Sequence, residues 1–272
     1  MKFDKNLAAV HSYLCGDGYV TRNSANQKHK YYHIGFRNTN SVLLRDFQNK
    51  FRKYFGILPR LVKKERCIIQ NKLIYTRLVN DFKSFYSKDW VLPSLPKRLL
   101  KFWIRAFFDC EAWVELQKGK NRAIRADSIN QAGLTDVSLA LKSLGIISTI
   151  RGGKGMYRLS ICGRDDLIKF RNKIGFLHPR KKIKLIEVLD SYKEYTWNIP
   201  NHKKLILRFL SNRGRLRKDR CEIRLFSIKR KNLERLKYKL NSFNINSKVF
   251  GPWHSKHSKY YVLIIKTNGG LM

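Results

Sequence analysis

Two acidic residues stand in the same setting in distant parts of the sequence. Asp17 follows an apolar segment and sits between Gly16 and Gly18, and Glu111 follows a second apolar segment that ends at Cys110. An acid at the C-terminal end of a helix faces the negative end of the helix dipole, so local structure favours neither acid there. Carboxylate oxygens are ligands that Mg²⁺ prefers, and two carboxylates held together repel unless divalent cations bind between them. The two acids are therefore a candidate metal site.

The segments before the acids must be helices that can pack closely. Small residues recur four apart in each of them, Ser12 and Gly16 in the first and Ala106 and Cys110 in the second. Residues four apart share a helix face, so each helix offers a strip that another backbone can approach. We expect these two helices to cross closely and to bring the two acids together.

Behind each of these helices, the apolar spacing predicts a strand and then an amphipathic helix. The expected ranges are 31–37 and 40–55 after the first helix at residues 5–16, and 123–128 and 134–144 after the second helix at residues 97–110. Gly56 and Gly145 close the amphipathic helices, because glycine accepts the left-handed backbone that ends a helix. A later helix begins near residue 182 and is expected to end near Trp197. The pattern indicates one structural unit used twice.

A third segment has the same order of elements but lacks the acid. Leu233 and Asn244 follow Leu134 and Gly145 at one constant distance of 99 residues. In its first helix, large polar residues replace the small ones, and Arg213 stands where the acid would be. This helix cannot pack as the other two do and cannot bind a cation, so we expect a degenerate half-repeat.

The charge balance points to a polyanion as the partner. The chain has 272 residues, with 58 Lys and Arg against 19 Asp and Glu and a net charge of +39. A compact state with this charge repels itself. A basic surface that serves solubility alone is one alternative. An anionic membrane surface is another, because charge alone does not separate phosphodiesters from phospholipids.

Cysteine usage and hydropathy bear on the cellular compartment. The five cysteines are scattered and form no Cys-x-x-Cys pair, which argues against a zinc module and a disulfide framework. The sequence has no run of about 18 apolar residues that could span a membrane. Its first residues lack the apolar stretch of a signal peptide. We therefore expect an intracellular protein, in a prokaryotic cytoplasm or in an organelle, with no membrane partner.

Both motif regions resemble a known family. LAAVHSYLCGDG at residues 7–18 and FWIRAFFDCEAWV at residues 102–114 resemble the two motifs of LAGLIDADG homing endonucleases of the monomeric, two-motif type. IGFLHP at residues 174–179, followed by Lys181 and Lys182, is similar to the segment that closes the second repeat in that family. The resemblance implies an α+β fold of two pseudo-symmetric αββαββα repeats with saddle-shaped antiparallel sheets. The expected domains are a first repeat at 1–92, a second at 93–198, and a smaller C-terminal α/β segment at 199–272 that binds DNA.

The resemblance also implies an activity. It is that of a site-specific endonuclease, encoded by a mobile element such as an intron, that cuts double-stranded DNA by metal-dependent hydrolysis and leaves 3′ overhangs. Two or three Mg²⁺ ions would bind between the helices. The implied site residues are Asp17 and Glu111 with Gly16 and Cys110 as further metal contacts, and Arg37 as the basic residue near the scissile phosphate. The expected partner is a long asymmetric DNA site bound by a monomer. An RNA maturase that assists its own intron RNA, and a catalytically inactive DNA-binding protein, remain open as alternatives.

Basic residues on the expected strands are the candidate DNA contacts. Aligning the repeats by their helices makes His33, Arg125 and Arg224 equivalent, each beside an apolar neighbour. We expect all three on the sheet face that enters the major groove. Three further arginines alternate in the sequence, and on one strand they would share a face at about the spacing of DNA phosphates. These three are Arg213, Arg215 and Arg217, and the remaining candidates are Arg22, Lys28, Lys30, Arg37, Lys154, Arg158 and Lys229.

The second repeat departs from the first in two ways. Ala112 follows its acid where the family commonly has glycine, so a positive φ there would be strained. In the alignment, Ile129 takes the position of Arg37, so the second repeat has no matching basic residue. Lys118 or Lys120 would have to replace it.

Overall fold

The computed structural model describes residues 1–24, 26–82, 84–117, 121–153, 155–192, 196–255 and 259–266. The chain forms two compact units, residues 1–189 and residues 190–272. The first unit contains both acidic motifs, and the second contains the degenerate third segment. The finer domain limits expected from the sequence stay predictions. No helix in the described ranges is long and apolar enough to cross a lipid bilayer.

The first repeat begins with the helix that precedes Asp17. Its elements are α1 (Lys5–Cys15), β1 (Gly18–Arg22), β2 (Tyr32–Arg37), α2 (Ser41–Phe55), β3 (Arg60–Val62), β4 (Arg66–Gln70) and α3 (Lys72–Asp81). The strands form an antiparallel sheet in the order β1-β2-β4-β3. Asp4 caps α1 by accepting hydrogen bonds from the amides of Asn6 and Leu7. Gly56 ends α2 at φ 76°, as predicted.

The second repeat has the same construction. Its elements are α4 (Lys97–Glu111), β5 (Ala112–Leu116), β6 (Arg122–Ser128), α5 (Gln131–Ser143), β7 (Thr149–Gly153), β8 (Met156–Cys162), α6 (Arg164–Lys173) and α7 (Pro179–Asp190). The sheet order β5-β6-β8-β7 reproduces that of the first repeat. Gly145 adopts φ 75°, as predicted. The expectation that the last helix reaches Trp197 is wrong, because α7 ends at Asp190.

Each sheet of the first unit buries one face against helices. In β2, Ile34 and Phe36 are fully buried while Arg37 is exposed, and α2 contributes the buried Phe47 to the same core. This alternation is typical of a half-buried strand. Helix α1 is buried from Leu7 to Cys15, because it packs against α4, α2 and the strands of its own repeat.

The second unit repeats the topology on a smaller scale. Its elements are α8 (Lys203–Arg213), β9 (Arg215–Arg217), a 3₁₀ turn (Lys218–Arg220), β10 (Glu222–Ser227), α9 (Arg230–Asn241), β11 (Ser247–His254) and β12 (Lys259–Lys266). The sheet order is β9-β10-β12-β11, as in the other two sheets. Leu225, Leu233 and Leu263 belong to a buried core within this unit. Asn244 adopts φ 59° where the first two repeats have glycine. The third segment therefore ends its equivalent helix with a left-handed residue as well. The expected α+β fold is confirmed.

Candidate metal and nucleic-acid site

The two motif helices cross at their small residues. Ser12 Oγ donates a hydrogen bond of 2.7 Å to the carbonyl oxygen of Trp103 across the crossing. A Cβ atom placed on Gly16 would lie 2.8 Å from Cys110 Cβ, closer than real side chains approach. Because a larger residue would separate the helices, the predicted close crossing of α1 and α4 is confirmed.

A buried histidine stabilises the same crossing. Trp103 Nε1 donates to His11 Nδ1 at 3.1 Å, so the bond joins α4 to α1. Burial lowers the pKa of His11 to about 3, which keeps its ring neutral and Nδ1 available as an acceptor. Phe82 packs edge-on against the ring, with centroids 4.4 Å apart. His11 is therefore a core residue rather than a catalytic base.

Asp17 and Glu111 meet where the two helices end. The Cβ position of Gly16, next to Asp17, is 3.4 Å from Glu111 Oε1. Burial, and then the negative charge of Asp17, raise the pKa of Glu111 to about 7. Asn38 Nδ2 donates to Asp17 Oδ2 at 2.8 Å and fixes the direction of that carboxylate. The structure thus brings together the two acids that the sequence singles out.

The residues that follow the acids differ, and no strain results. A Cβ atom on Gly18 would lie 2.4 Å from Leu14 Cα, so only glycine fits there. Ala112 instead has φ −96° and ψ 156°, an extended conformation that any residue adopts. The condition for strain, a positive φ at this position, is therefore not met. The residues paired with these two positions across the sheet differ in the opposite sense. The smaller Gly18 pairs with the large Phe36, whereas the larger Ala112 pairs with the small Ala126.

Lys181 adds a half-buried cation to the site, a role that sequence analysis did not assign. Its Nζ donates to the carbonyl oxygens of Phe108, Asp109 and Cys110 at 3.2, 2.6 and 3.3 Å. It therefore donates to the last carbonyl groups of α4, where the helix itself supplies few donors. Burial lowers the pKa of Lys181, and its positive charge opposes the rise in the pKa of Glu111.

A third carboxylate nearby has a structural task. Asp109 accepts hydrogen bonds from the amides of Leu177 at 3.1 Å and His178 at 3.0 Å. These bonds fix the segment that leads to α7 and thereby place Lys181. Burial raises the pKa of Asp109 to about 6, and the two amides and nearby cations oppose that rise. In the described part of the chain, no three His, Cys, Asp or Glu side chains are grouped to hold a metal ion.

The open face of the first sheet carries cations beside this site. Arg37 at the end of β2 pairs with Arg66 of β4, and His33 pairs with Gln70. Arg37 lies one residue before Asn38, which holds the first acid. Arg22 belongs instead with Val20 on the helix-packed face of β1, so it does not share this surface. Lys28 and Lys30 are exposed in the segment before β2.

The open face of the second sheet has cations that are already paired. Arg125 Nε lies 2.8 Å from Glu115 Oε2. Arg158 makes two hydrogen bonds of 2.7 Å to Asp127 and lies 5.0 Å from the centre of the Trp113 ring. Lys118, Lys120 and Lys154 lie outside the described residues. Sequence analysis missed these ion pairs because they join different strands.

The structure also corrects the alignment of the repeats. Asn40 and Asn130 cap equivalent helices, so Arg37 corresponds to Asp127 and not to Ile129. By the same register, Arg125 corresponds to Gly35 and not to His33. The error is two residues, which leaves each side chain on the expected face of its strand. The second repeat therefore has an acid where the first has a cation.

In the second unit, the predicted row of arginines is interrupted. Arg213 is the last residue of α8 and lies over the Trp197 ring at 5.4 Å, so it is not on the strand with Arg215 and Arg217. The expectation of one shared face for all three is wrong, because the helix continues through Arg213. Arg224 is bound to Glu222, and Lys229 stands at the start of α9. Arg217 is bound to Asp219.

Comparison with known proteins identifies the domain. Residues 99–175, which run from α4 into the turn after α6 and include Glu111, match the family model of the LAGLIDADG-like domain. This part of the chain is therefore similar to LAGLIDADG-like domains. The predicted resemblance of the α4 motif to the LAGLIDADG family is therefore confirmed.

Solved structures share the fold. I-DmoI in complex with DNA and Ca has a TM-score of 0.50 and 19% identity, covering 67% of this chain and 99% of that one. I-DmoI in complex with DNA and Mn has a TM-score of 0.49 and 20% identity, covering 63% of this chain and 96% of that one. At this identity, the first of these likenesses shows the fold of a LAGLIDADG homing endonuclease.

Curated relatives match over short stretches. The replication factor C small subunit of Thermococcus kodakarensis is 35% identical over 86 residues, which are 30% of this chain and 9% of that protein. Elongation factor 2 of Methanopyrus kandleri is 28% identical over 133 residues, which are 49% of this chain and 9% of that protein. The chain therefore spans about a tenth of the length of these relatives.

Proposed function

We propose that the protein is a metal-dependent endonuclease that cuts both strands of a long asymmetric DNA site and leaves 3′ overhangs. The observation that carries the proposal is the meeting of Asp17 and Glu111 at the crossing of α1 and α4. The LAGLIDADG-like match at residues 99–175 supports it. Further support comes from I-DmoI, a homing endonuclease of similar fold that binds DNA with Mn or Ca. One carboxylate from each repeat suits a reaction carried out once on each strand.

The two carboxylates fit a magnesium site. A divalent cation would remove the repulsion that contributes to the raised pKa of Glu111. Mg²⁺ commonly binds through one or two carboxylates together with substrate phosphates, so a third protein carboxylate is not required. When bound, Mg²⁺ would lower the pKa of a water molecule and stabilise the oxygens of an in-line displacement. Burial keeps the Cys110 thiol protonated by raising its pKa, so Asp17 and Glu111 are the proposed ligands, with Gly16 beside them.

Neighbouring side chains would keep the acids ready for this task. Asn38 donates to one oxygen of Asp17, and the Cys110 thiol also hydrogen-bonds to this carboxylate. The positive charge of Lys181 favours the ionised form of Glu111, and its Nζ also donates to a carbonyl oxygen at the end of α4. The ionised forms of both acids are the ones that attract a cation.

The two repeats would hold the two DNA strands differently. In the first, Arg37 and Arg66 present guanidinium groups that suit phosphate oxygens. In the second repeat, the guanidinium of Arg158 already donates two hydrogen bonds to Asp127. We therefore propose that the strand held by the first repeat is bound more tightly at its phosphates. A time course that separates nicked from linear plasmid measures the rates of the two cuts.

Plasmid cleavage tests the proposed activity. The substrate carries the joined sequences that flank the gene, and the assay compares linearisation with and without Mg²⁺. Asp17→Asn and Glu111→Gln should each abolish double-strand cleavage while binding in a gel-shift assay stays unchanged. Asp165→Asn and Glu187→Gln make the same chemical changes at exposed helix positions and should cleave normally. Linearisation by either motif variant at the full rate would reject this site.

The same assays separate the alternatives. Binding of the flanking sequence without cleavage at any Mg²⁺ concentration would identify an inactive DNA-binding protein. Acceleration of splicing of the surrounding RNA, unaffected by changes at the two acids, would identify a maturase. We propose a monomer that acts on intracellular DNA, because both acidic motifs are in one chain. Sedimentation of the bound complex measures the stoichiometry.

A further inference from the structure

The sheet of the second unit carries large aromatic side chains on its outer surface. Helix α9 packs against β10, β11 and β12, and Leu225 and Leu263 are buried on that side. On the opposite side, Phe226 is 38%, Phe250 is 42% and Trp253 is 54% exposed. Rings of this size are ordinarily buried, so three exposed together need a partner.

The strand register places these rings in one patch. Phe226 of β10 and Phe250 of β11 both pair with Val262 of the strand between them. Trp253 pairs with Tyr260, and the rings of Tyr260 and Phe226 lie 6.1 Å apart. Paired residues lie on the same face of a sheet. We call this patch of Phe226, Phe250, Trp253 and Tyr260 the aromatic face.

Cations lie among the rings. The guanidinium of Arg215 lies 5.6 Å from the centre of the Phe226 ring. Exposed Lys248 is on the same face, because it pairs with Ile264, which in turn pairs with Arg224. A surface that combines rings and cations is unsuited to an apolar protein partner and complementary to a polyanion that carries flat bases.

Within the described residues, the open faces of the other two sheets have fewer exposed aromatic rings. Their open faces carry mainly the arginines described above, with the exposed ring of Tyr31 beside His33 at the edge of the first sheet and Trp113 half-buried beneath Arg158 in the second. Duplex DNA keeps its bases stacked inside, so it offers phosphates and groove edges but no free base faces. Unpaired nucleotides offer both phosphates and base faces, and proteins bind them with exposed aromatic rings beside cations.

We propose that the aromatic face binds single-stranded nucleic acid, with bases stacked on Phe226, Phe250 and Trp253 and phosphates at Arg215 and Lys248. This binding would be separate from cleavage at the crossing of α1 and α4. It would let the protein hold an unpaired strand, of DNA or of RNA, in addition to a duplex.

Fluorescence anisotropy with the full chain tests the proposal. The probes are labelled oligothymidylate, labelled oligouridylate and a labelled DNA hairpin without unpaired bases beyond its loop. Phe226→Ala, Phe250→Ala and Trp253→Ala should each weaken binding of the single strands by about tenfold, the effect of losing one stacked base. Binding of the hairpin should change by less than about twofold, well below that tenfold effect. A preference between the two single strands tells which polymer the aromatic face takes.

Three matched variants make the result decisive. Tyr238→Ala removes an aromatic residue that is 75% exposed on α9, away from the aromatic face, and should bind all probes normally. Trp253→Phe retains a ring and should retain binding, which a loss of folding would not allow. Asp17→Asn should bind single strands normally, so a failure of the nuclease proposal stays distinguishable. Single-strand affinity that survives all three alanine changes, or that falls equally for the hairpin, would overturn the proposal.

Discussion

Replacing Glu111 with glutamine should stabilise the metal-free protein at alkaline pH. The pKa of this carboxyl rises from an ordinary 4.5 to about 7 because it is buried and close to Asp17. Folding therefore favours the neutral form of Glu111. The difference between the two pKa values corresponds to about 3 kcal/mol in the free energy of unfolding. This favourable contribution is complete below pH 4.5 and is lost as the pH rises through about 7. Glutamine keeps the size of the side chain and never ionises.

Chemical denaturation at two pH values measures the effect. In EDTA at about pH 8.5, Glu111→Gln should unfold at a higher urea concentration than the wild type, by up to about 3 kcal/mol in the free energy of unfolding. At about pH 5, where the wild-type carboxyl is already neutral, the two proteins should have nearly equal stability. Added Mg²⁺ should stabilise the wild type at the higher pH and leave the variant unchanged, because binding to the native state alone raises stability.

A surface variant supplies the control. Glu187→Gln makes the same change at a position that is exposed and paired with Lys184. Its stability should follow that of the wild type at both pH values, with or without Mg²⁺. If Glu111→Gln were no more stable than the wild type at about pH 8.5, or equally more stable at both pH values, the pKa of Glu111 would not be raised in the folded protein.

Three further variants test other parts of the molecule. Lys181→Met removes the cation that opposes the rise in the pKa of the second acid, so cleavage should reach its maximum at a higher pH in single-turnover assays. Gly16→Ala inserts a Cβ atom 2.8 Å from the facing helix and should lower stability by about 1–3 kcal/mol in urea titrations, whereas Gly153→Ala meets no atom within 4 Å and should be neutral. Asp127→Asn releases Arg158 for a phosphate and should steepen the salt dependence of DNA binding by about one unit in a log–log plot. An unchanged slope would show that the guanidinium does not reach DNA.

Local patterns in the sequence determined most of the secondary structure. Apolar spacing located α2 and α5, and glycine or asparagine at residues 56, 145 and 244 located the helix ends. These features are local, because the spacing of apolar residues and the left-handed residue that ends a helix are both set by a few neighbouring positions in the sequence. The pairing of Asp17 with Glu111 could also be predicted, since small residues four apart allow a close helix crossing.

Tertiary structure alone decided which charges are engaged. Arg125 and Arg158 read as free cations in the sequence, yet each meets an acid on a neighbouring strand. Lys181 lies far along the chain from Glu111, and only the fold brings it to the end of α4. Such contacts depend on strand register and helix crossing, which a linear pattern does not record. The alignment error of two residues has the same origin. A shift of two residues preserves the alternation of side chains along a strand, so the sequence pattern alone did not reveal it.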